Sequence, residues 1–261
     1  MPALQAMMAG GFNPAEDIQW KALYWPGGPR FQAEGYTDGQ VLNVGENIPD
    51  ESGVETLVAS TTATGVTYEA SDTVLNSQPS LRNTTQYAPG FTTGSFAGGD
   101  LVMPYSIVYV LATPAVNPET WQRILSDTTD VGNYHFAIYD LAGDGLDPRW
   151  YFRHSSGGSG NVNTYVSSID FPVSFGAGYG VRHFVQAASS ALFLNGVEAA
   201  DSAPKGGFDL TGVNLFRIPG VDTGAWQGGT GFIGIYEGDI TADPRWSGLQ
   251  SWILATFNVT V

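Results

Sequence analysis

The stretch between Gly180 and Gly238 most constrains the fold, because it consists of short apolar runs separated by turn residues. The runs cover residues 181–186, 190–194 and 232–237. Asn195 and Gly196 stand between two of them, and these residue types accept the positive φ that a tight turn between antiparallel strands requires. The stretch therefore predicts antiparallel strands at the heart of a β-sandwich.

Length and composition favour a β protein that is rich in turns. A chain of 261 residues is long enough for one large β domain or two small ones. Its 43% of hydrophobic residues can bury a sizeable core. Only 13% of the residues are charged, so most of the polar surface comes from Gly, Ser, Thr, Asn and Gln.

The charge balance excludes two classes of partner. The chain has 25 acidic and 10 basic residues, and the resulting net charge of −15 repels phosphate backbones and anionic membrane surfaces. No stretch is apolar over the roughly 18 residues of a membrane span, and residues 1–11 lack the pattern of a secretory signal. We expect no nucleic acid and no membrane insertion.

The absence of cysteine excludes disulfides and thiolate metal sites.

Residues 1–36 differ from the rest of the chain, and we treat them as an N-terminal arm that precedes a sandwich over 37–261. Helix-forming residues end at Gly10 and Gly11, and an aromatic segment follows. The arm either packs on its own domain or docks onto a neighbouring subunit. The candidate assembly contacts are Met7, Met8, Phe12, Trp20 and Trp25.

The later part of the chain continues the strand pattern and ends in a helix. Strands are predicted over 101–111, 121–126, 134–139 and 149–153, with Pro104 at a bulge, an edge or a strand start. Past Glu237 the apolar residues take the spacing of one helical face, at positions 246, 249, 252, 253 and 257. Asp243 before Pro244 predicts the N-cap of this helix.

Three short motifs carry a family resemblance. They are Asp50-x-Ser-Gly, Leu75-Asn-x-x-Pro-x-Leu-Arg and Gly231-Phe-Ile-Gly, the last followed by an acidic turn and the helix. Together they resemble the laminin-G-like or concanavalin A-like jelly-roll modules of tailed-phage virion proteins, over about residues 36–257. The resemblance implies an all-β, antiparallel jelly-roll sandwich with an N-terminal arm and one short C-terminal helix.

The resemblance also implies a function. It points to a structural component of a tailed-phage virion, of the minor tail or tail-tip type, that assembles in the host cytoplasm. The implied partners are other virion subunits, including further copies of this chain, and a host cell-envelope glycan. A capsid decoration protein of the same fold is the alternative.

Trp226 is the candidate centre of a glycan site. It stands alone among small residues, with Asp222 and Gln227 nearby, and this combination suits a platform for the apolar face of a sugar with polar groups for its hydroxyls. The alternative is that the indole is buried at the end of the sandwich or in a subunit contact.

Catalytic and metal sites have weaker patterns. Glu237 and Asp239 could share one face of a strand, as the carboxylates of a glycan hydrolase do, but the pair lies where a turn begins. The acidic stretch from Asp140 to Asp147 is either a calcium-binding turn or a solvated hairpin tip. The three histidines lie on separate predicted strands. We therefore expect no enzyme, no cofactor and no metal, with the glycan hydrolase as the remaining alternative.

Overall fold

Two large antiparallel sheets contain most of the strands in the computed structural model. The structure describes residues 11–43, 45–59, 66–83, 90–112, 124–128, 209–216 and 226–259, together with the backbone of the strands that lie between residues 134 and 198. The prediction of an all-β antiparallel sandwich with one short C-terminal helix is confirmed.

The first sheet, here the covered sheet, has eight strands: β1 (Ala22–Tyr24), β4 (Val66–Asp72), β5 (Gln78–Asn83), β7 (Tyr105–Ala112), β14 (Ala177–Val185), β15 (Ser189–Leu194), β16 (Val197–Glu198) and β18 (Gly229–Glu237). Its spatial order is β16-β15-β14-β7-β18-β5-β4, and β1 also pairs with β18.

The second sheet, here the polar sheet, has seven strands: β2 (Asn47–Ile48), β3 (Leu57–Ala59), β6 (Phe91–Thr92), β8 (Leu125–Asp127), β9 (Tyr134–His135), β12 (His154–Ser155) and β17 (Val213–Leu215). A small sheet contains β10 (Ile138–Asp140), β11 (Arg149–Tyr151) and β13 (Ile169–Asp170). The helices are α1 (Pro14–Asp17), α2 (Pro29–Ala33), a 3₁₀ turn (Ile240–Ala242) and α3 (Trp246–Phe257).

Strand β7 is buried at every position, which explains its unbroken apolar sequence. One face of the strand, with Tyr105, Ile107, Tyr109 and Leu111, contributes to the core between the two sheets. The opposite face contributes Val108, Val110 and Ala112 to a second core on the outside of the covered sheet. The covered sheet is therefore apolar on both faces at β7.

The second core is closed by the N-terminal segment and by α3. Helix α3 presents Leu249, Trp252, Ile253 and Phe257 to the sheet, as the spacing of these residues predicts. Its first turn differs from the prediction, because α3 begins at Trp246 and Arg245 is its N-cap residue without a side-chain bond. The Asp243 carboxylate instead accepts hydrogen bonds from Arg245, so the chain makes a tight turn before it enters the helix.

The described part of the N-terminal segment packs on its own domain. Strand β1 pairs antiparallel with β18, with Ala22 opposite Ile235. The Trp20 and Trp25 side chains are 7% and 2% exposed and lie in the second core, so neither is available to a neighbouring subunit. Phe12 packs against the same core, whereas Met7 and Met8 lie outside the described residues.

Other strand predictions are met in part. Pro104 directly precedes β7, which agrees with its expected place at a strand start. The predicted strand over 134–139 is instead two short strands, because β9 pairs within the polar sheet and β10 pairs in the small sheet. None of the helices in the described part of the chain is long and apolar enough to cross a membrane.

We predict that Gly234→Ala destabilises the protein because of its contact with one side chain. A Cβ at residue 234 would lie 2.4 Å from Cζ3 of Trp20, which forms an edge-to-face pair with Phe232. The expected loss is about 1–3 kcal/mol of unfolding free energy, measured by chemical denaturation.

A double-mutant cycle isolates this contact. In a Trp20→Ala background the ring is gone, so Gly234→Ala should cost little beyond the Trp20→Ala change itself. An equal cost in both backgrounds would show that the close approach of Trp20 is not the reason for glycine.

Candidate functional site

Trp226 is a core residue and not an exposed platform. Its side chain is 0% exposed and belongs to the core between the two sheets. The indole Nε1 donates to the Gly229 carbonyl at 3.3 Å, and the Trp226 carbonyl accepts from Asn83 Nδ2 at 2.8 Å. The predicted sugar platform is therefore wrong at this residue, and the buried alternative holds. Gln227 is half-buried, and Asp222 lies outside the described residues.

The carboxylates near the C-terminal helix hold turns together. Asp239 caps the 3₁₀ turn by accepting from the Thr241 amide at 2.9 Å and its hydroxyl at 2.6 Å. Asp243 accepts from the Tyr236 hydroxyl at 3.0 Å and from Arg245, and the bonds from Arg245 lower the pKa of Asp243. Glu237 is exposed at the end of β18. This arrangement matches the interpretation of the pair Glu237 and Asp239 as part of an acidic turn.

The structure describes only some of the residues that the sequence offered as metal ligands. Asp140 ends β10, and residues 141–147 of the predicted calcium turn lie outside the described residues. The register of β9 and β12 places His135 opposite His154, which sequence spacing did not indicate. Among the residues that the structure describes, no group of three or more acidic, histidine or cysteine side chains is placed to hold a metal ion.

Two buried carboxylates organise the turn between β2 and β3. Asp50 accepts from the backbone amides of Leu23, Ser52, Val54 and Glu55 at 2.7–3.1 Å, and also from the Ser52 hydroxyl. Glu51 accepts from the Arg30 and Phe31 amides at 3.0 and 2.8 Å, so it satisfies the first donors of α2. Burial raises the pKa of Glu51 despite these bonds. Both acids fasten this turn to the N-terminal segment.

Glu55 and Tyr24 lie close by but are not fully bonded. The Glu55 Oε1 atom and the Tyr24 hydroxyl are both buried and have no hydrogen-bond partner. Burial raises the pKa of Glu55, with the Asp50 charge acting in the same direction, while the Ala97 amide and Lys21 oppose the shift. Burial therefore disfavours the charged form of Glu55.

A row of polar residues crosses the polar sheet on its outer face. The register places Asn47 beside Val58, and then Thr92, Asn214 and Ser126 on successive strands, so one apolar residue interrupts the row. Their chain neighbours Ile48, Leu57, Phe91, Leu215 and Leu125 lie in the core between the sheets, so this row occupies the opposite face. With about 4.8 Å between strands, the row spans about 19 Å. All four polar side chains are uncharged.

One end of this polar row is buried and hydrogen-bonded, and the other end is more accessible. Asn214 and Ser126 are buried, and Asn214 Nδ2 donates to Ser126 Oγ at 3.3 Å and to the Asp127 carbonyl at 2.8 Å. Asn47 and Thr92 are half-buried. The Asn47 backbone is held on both sides by the Tyr36 hydroxyl, which donates to its carbonyl at 2.8 Å and accepts from its amide at 3.2 Å. The accessible end is therefore a rigid support for amide and hydroxyl groups.

Some of the solved structures with the same fold come from proteins that act on glycans. An arabinofuranosidase complexed with arabinofuranosyl-α-1,2-xylobiose matches with a TM-score of 0.58 and 12% identity, over 98% of this chain and 65% of that one. Domain 4 of AbnA, a GH43 extracellular arabinanase from Geobacillus stearothermophilus in complex with arabinotriose, matches with a TM-score of 0.51 and 13% identity, over 85% of this chain and 94% of that domain.

A third structure is part of a larger enzyme. The Trypanosoma rangeli sialidase in complex with sialic acid matches with a TM-score of 0.51 and 9% identity, and this chain spans 32% of its length. No protein-family model matches this chain, and no curated protein matches it either. At these identities the likeness establishes the β-sandwich fold.

The expectation that the chain is not an enzyme is contradicted by these neighbours. They belong to an arabinanase, a sialidase and an arabinofuranosidase, so the fold is one that glycoside hydrolases contain. Sequence reasoning kept hydrolysis only as an alternative, because the pair Glu237 and Asp239 lies where a turn begins. That pair does lie in a turn, but its position does not determine whether the fold serves a hydrolase.

We predict that Trp226→Ala acts on stability. Removing the indole leaves a large cavity in the core between the sheets, with an expected loss of about 3–5 kcal/mol of unfolding free energy. Trp246→Ala is the matched control, because Trp246 is half-buried and should cost only about 1–2 kcal/mol. Chemical denaturation measures both. A stable Trp226→Ala protein with unchanged unfolding would contradict the buried position of the indole.

Proposed function

We propose that this chain is a glycan-binding β-sandwich domain that recognises neutral oligosaccharides on the outer face of the polar sheet. The observation that supports it most is the polar row, in which Thr92, Asn214 and Ser126 stand on adjacent strands and Asn47 lies beyond Val58. Sugar hydroxyls both donate and accept hydrogen bonds, and amide and hydroxyl side chains can also do both. The match to a complete arabinanase domain that was solved with arabinotriose supports the same class of ligand.

The difference between the two outer faces of the sandwich favours the polar sheet as the place where the glycan binds. The outer face of the covered sheet is occupied by the second core, with α3 and the N-terminal tryptophans packed on it. The outer face of the polar sheet carries hydrogen-bonding side chains instead. The net charge of −15 disfavours anionic sugars, since it repels carboxylates at long range. A neutral glycan is therefore the better match.

The sequence resemblance supports a place for this domain on a tailed-phage virion, as a minor tail or tail-tip protein or as a capsid decoration protein. The resembling motifs meet in space, because a Cβ at Gly231 would lie 2.8 Å from Phe257 and 3.0 Å from Leu75. Asn76 Nδ2 also donates to the Thr256 carbonyl at 3.0 Å. The motifs thus join the start and the end of the sandwich. In this proposal the subunits assemble in the host cytoplasm, and the glycan belongs to the host envelope.

Immunogold labelling of purified particles tests the virion proposal. An antibody against this chain should label the tail or its tip, and copies of the chain should be found by mass spectrometry of the same particles. Labelling of the capsid would favour the decoration alternative, and particles without the chain would overturn both.

Isothermal titration calorimetry with arabinotriose, xylo-oligosaccharides and sialyllactose tests the glycan proposal. We expect binding of neutral sugars and none of sialyllactose. Thr92→Val and Asn47→Ala should each weaken binding by about 2–10-fold, the value of one neutral hydrogen bond. A release of reducing ends from arabinan or xylan would add hydrolysis to binding.

Thr67→Val is the matched control. Thr67 is also half-buried on a strand, but it lies on the covered sheet, opposite Arg82 of β5. Its replacement should leave the affinity unchanged. Equal losses in Thr67→Val and Thr92→Val would contradict the polar face as the binding surface, and a lack of binding to every neutral glycan would contradict the function.

A further inference from the structure

Three segments of the chain meet around Glu55 at one end of the sandwich. Lys21 and Tyr24 belong to the N-terminal strand region, Glu55 lies just before β3, and Phe96 and Ala97 lie in the loop between β6 and β7. Lys21 Nζ donates to the Ala97 carbonyl at 3.4 Å and lies 5.2 Å from the centroid of the Phe96 ring. The Ala97 backbone amide faces the Glu55 carboxylate and opposes the rise of its pKa. We call these five residues the Glu55 clasp.

The clasp contains two buried oxygen atoms without partners. Glu55 is 3% exposed and Tyr24 is 2% exposed, and neither Glu55 Oε1 nor the Tyr24 hydroxyl makes a hydrogen bond. A buried polar atom that loses its partner costs about 1–3 kcal/mol, and a charged one costs more. An ionised Glu55 therefore leaves an unsolvated charge inside the protein, whereas a protonated Glu55 does not.

The groups that face Glu55 act in different directions. Asp50 repels its negative charge, and Lys21 attracts it. Burial, with the charges of Asp50 and Glu55, raises the pKa of Tyr24, so this hydroxyl stays neutral near pH 7. The Asp50 carboxylate is occupied by four backbone amides. Among the groups of the clasp, Glu55 is the carboxyl group with a buried oxygen that has no partner.

We propose that protonation of Glu55 controls the contact between the N-terminal strand β1 and the loop before β7. With its proton bound, the carboxyl group is neutral and the clasp stays closed. When it ionises, the unpaired oxygen requires water, and the end of the sandwich that holds β1 opens locally. The effect concerns local opening of the clasp and leaves the rest of the fold in place.

The direction of the pH dependence follows from the raised pKa of Glu55. A group that binds its proton more tightly in the folded state contributes stability below its unfolded pKa, here about 4.3. That contribution is lost as the pH rises through the folded pKa. The clasp should therefore be closed most often below about pH 4.3 and should open more often as the pH rises through the folded pKa of Glu55.

Amide hydrogen exchange on the full-length protein tests the proposal. After correction for the intrinsic rate, peptides covering 20–25 and 94–101 should lose protection between pH 4 and pH 8, by up to about tenfold for each unit of pKa shift. Glu55→Gln keeps a neutral side chain at both values and should remove this dependence. The same loss of protection in wild type and in Glu55→Gln would overturn the proposal.

Two further measurements make the outcome specific. Glu237→Gln removes an exposed carboxylate of equal charge and should leave the exchange profile of the wild type unchanged. Should Glu55→Gln fail to fold, carbon-13 NMR of the wild-type carboxyl groups still decides the matter. A Glu55 carboxyl that titrates at or below the ordinary pKa of glutamate would overturn the proposal.

Discussion

The rest of the structure depends on the pairing of β7 with β18 in the middle of the covered sheet. The two strands run side by side from the pair Ala112 and Gly229 to the pair Tyr105 and Glu237, with one bulge after Thr230. Both strands are apolar on both faces, so each face must be covered to exclude water. The polar sheet covers one face, and the N-terminal segment with α3 covers the other. Glycine at position 234 allows the Trp20 ring to approach the sheet, because any Cβ there would clash with it.

Because both faces of the covered sheet are packed against other parts of the chain, the outer face of the polar sheet is the one that remains for ligand recognition. Because the N-terminal tryptophans and α3 occupy the outside of the covered sheet, the polar sheet has the outer face with hydrogen-bonding side chains. Several acids among the described residues hold turns and strands together through hydrogen bonds and ion pairs. Asp50 joins the β2–β3 turn to β1, Asp239 and Asp243 shape the approach to α3, and Arg82 pairs with Glu69 and Asp72 at the edge strands. Glu55 differs from these acids in having an oxygen without a donor, which is why its protonation has a consequence.

The errors of sequence reasoning share one physical cause. Trp226 stands among glycines, which is typical of an exposed loop, yet small neighbours also let an indole enter a core. The strand over 134–139 alternates as expected, but alternation does not reveal that the chain passes from the polar sheet to the small one. The polar row was missed because its members on neighbouring strands are 11 to 122 residues apart in the chain, so only the strand register brings them together.

The sequence by itself determined the class of fold, the turns and the C-terminal helix. These features follow from local physics: the period of the apolar residues, the positive φ of Asn and Gly, and the spacing of one helical face. Only the tertiary structure decided which aromatic residues are buried, which acids are bonded and where Asn47, Thr92 and Asn214 meet. Burial and bonding depend on partners that are distant in the chain, and a local pattern holds no record of those partners.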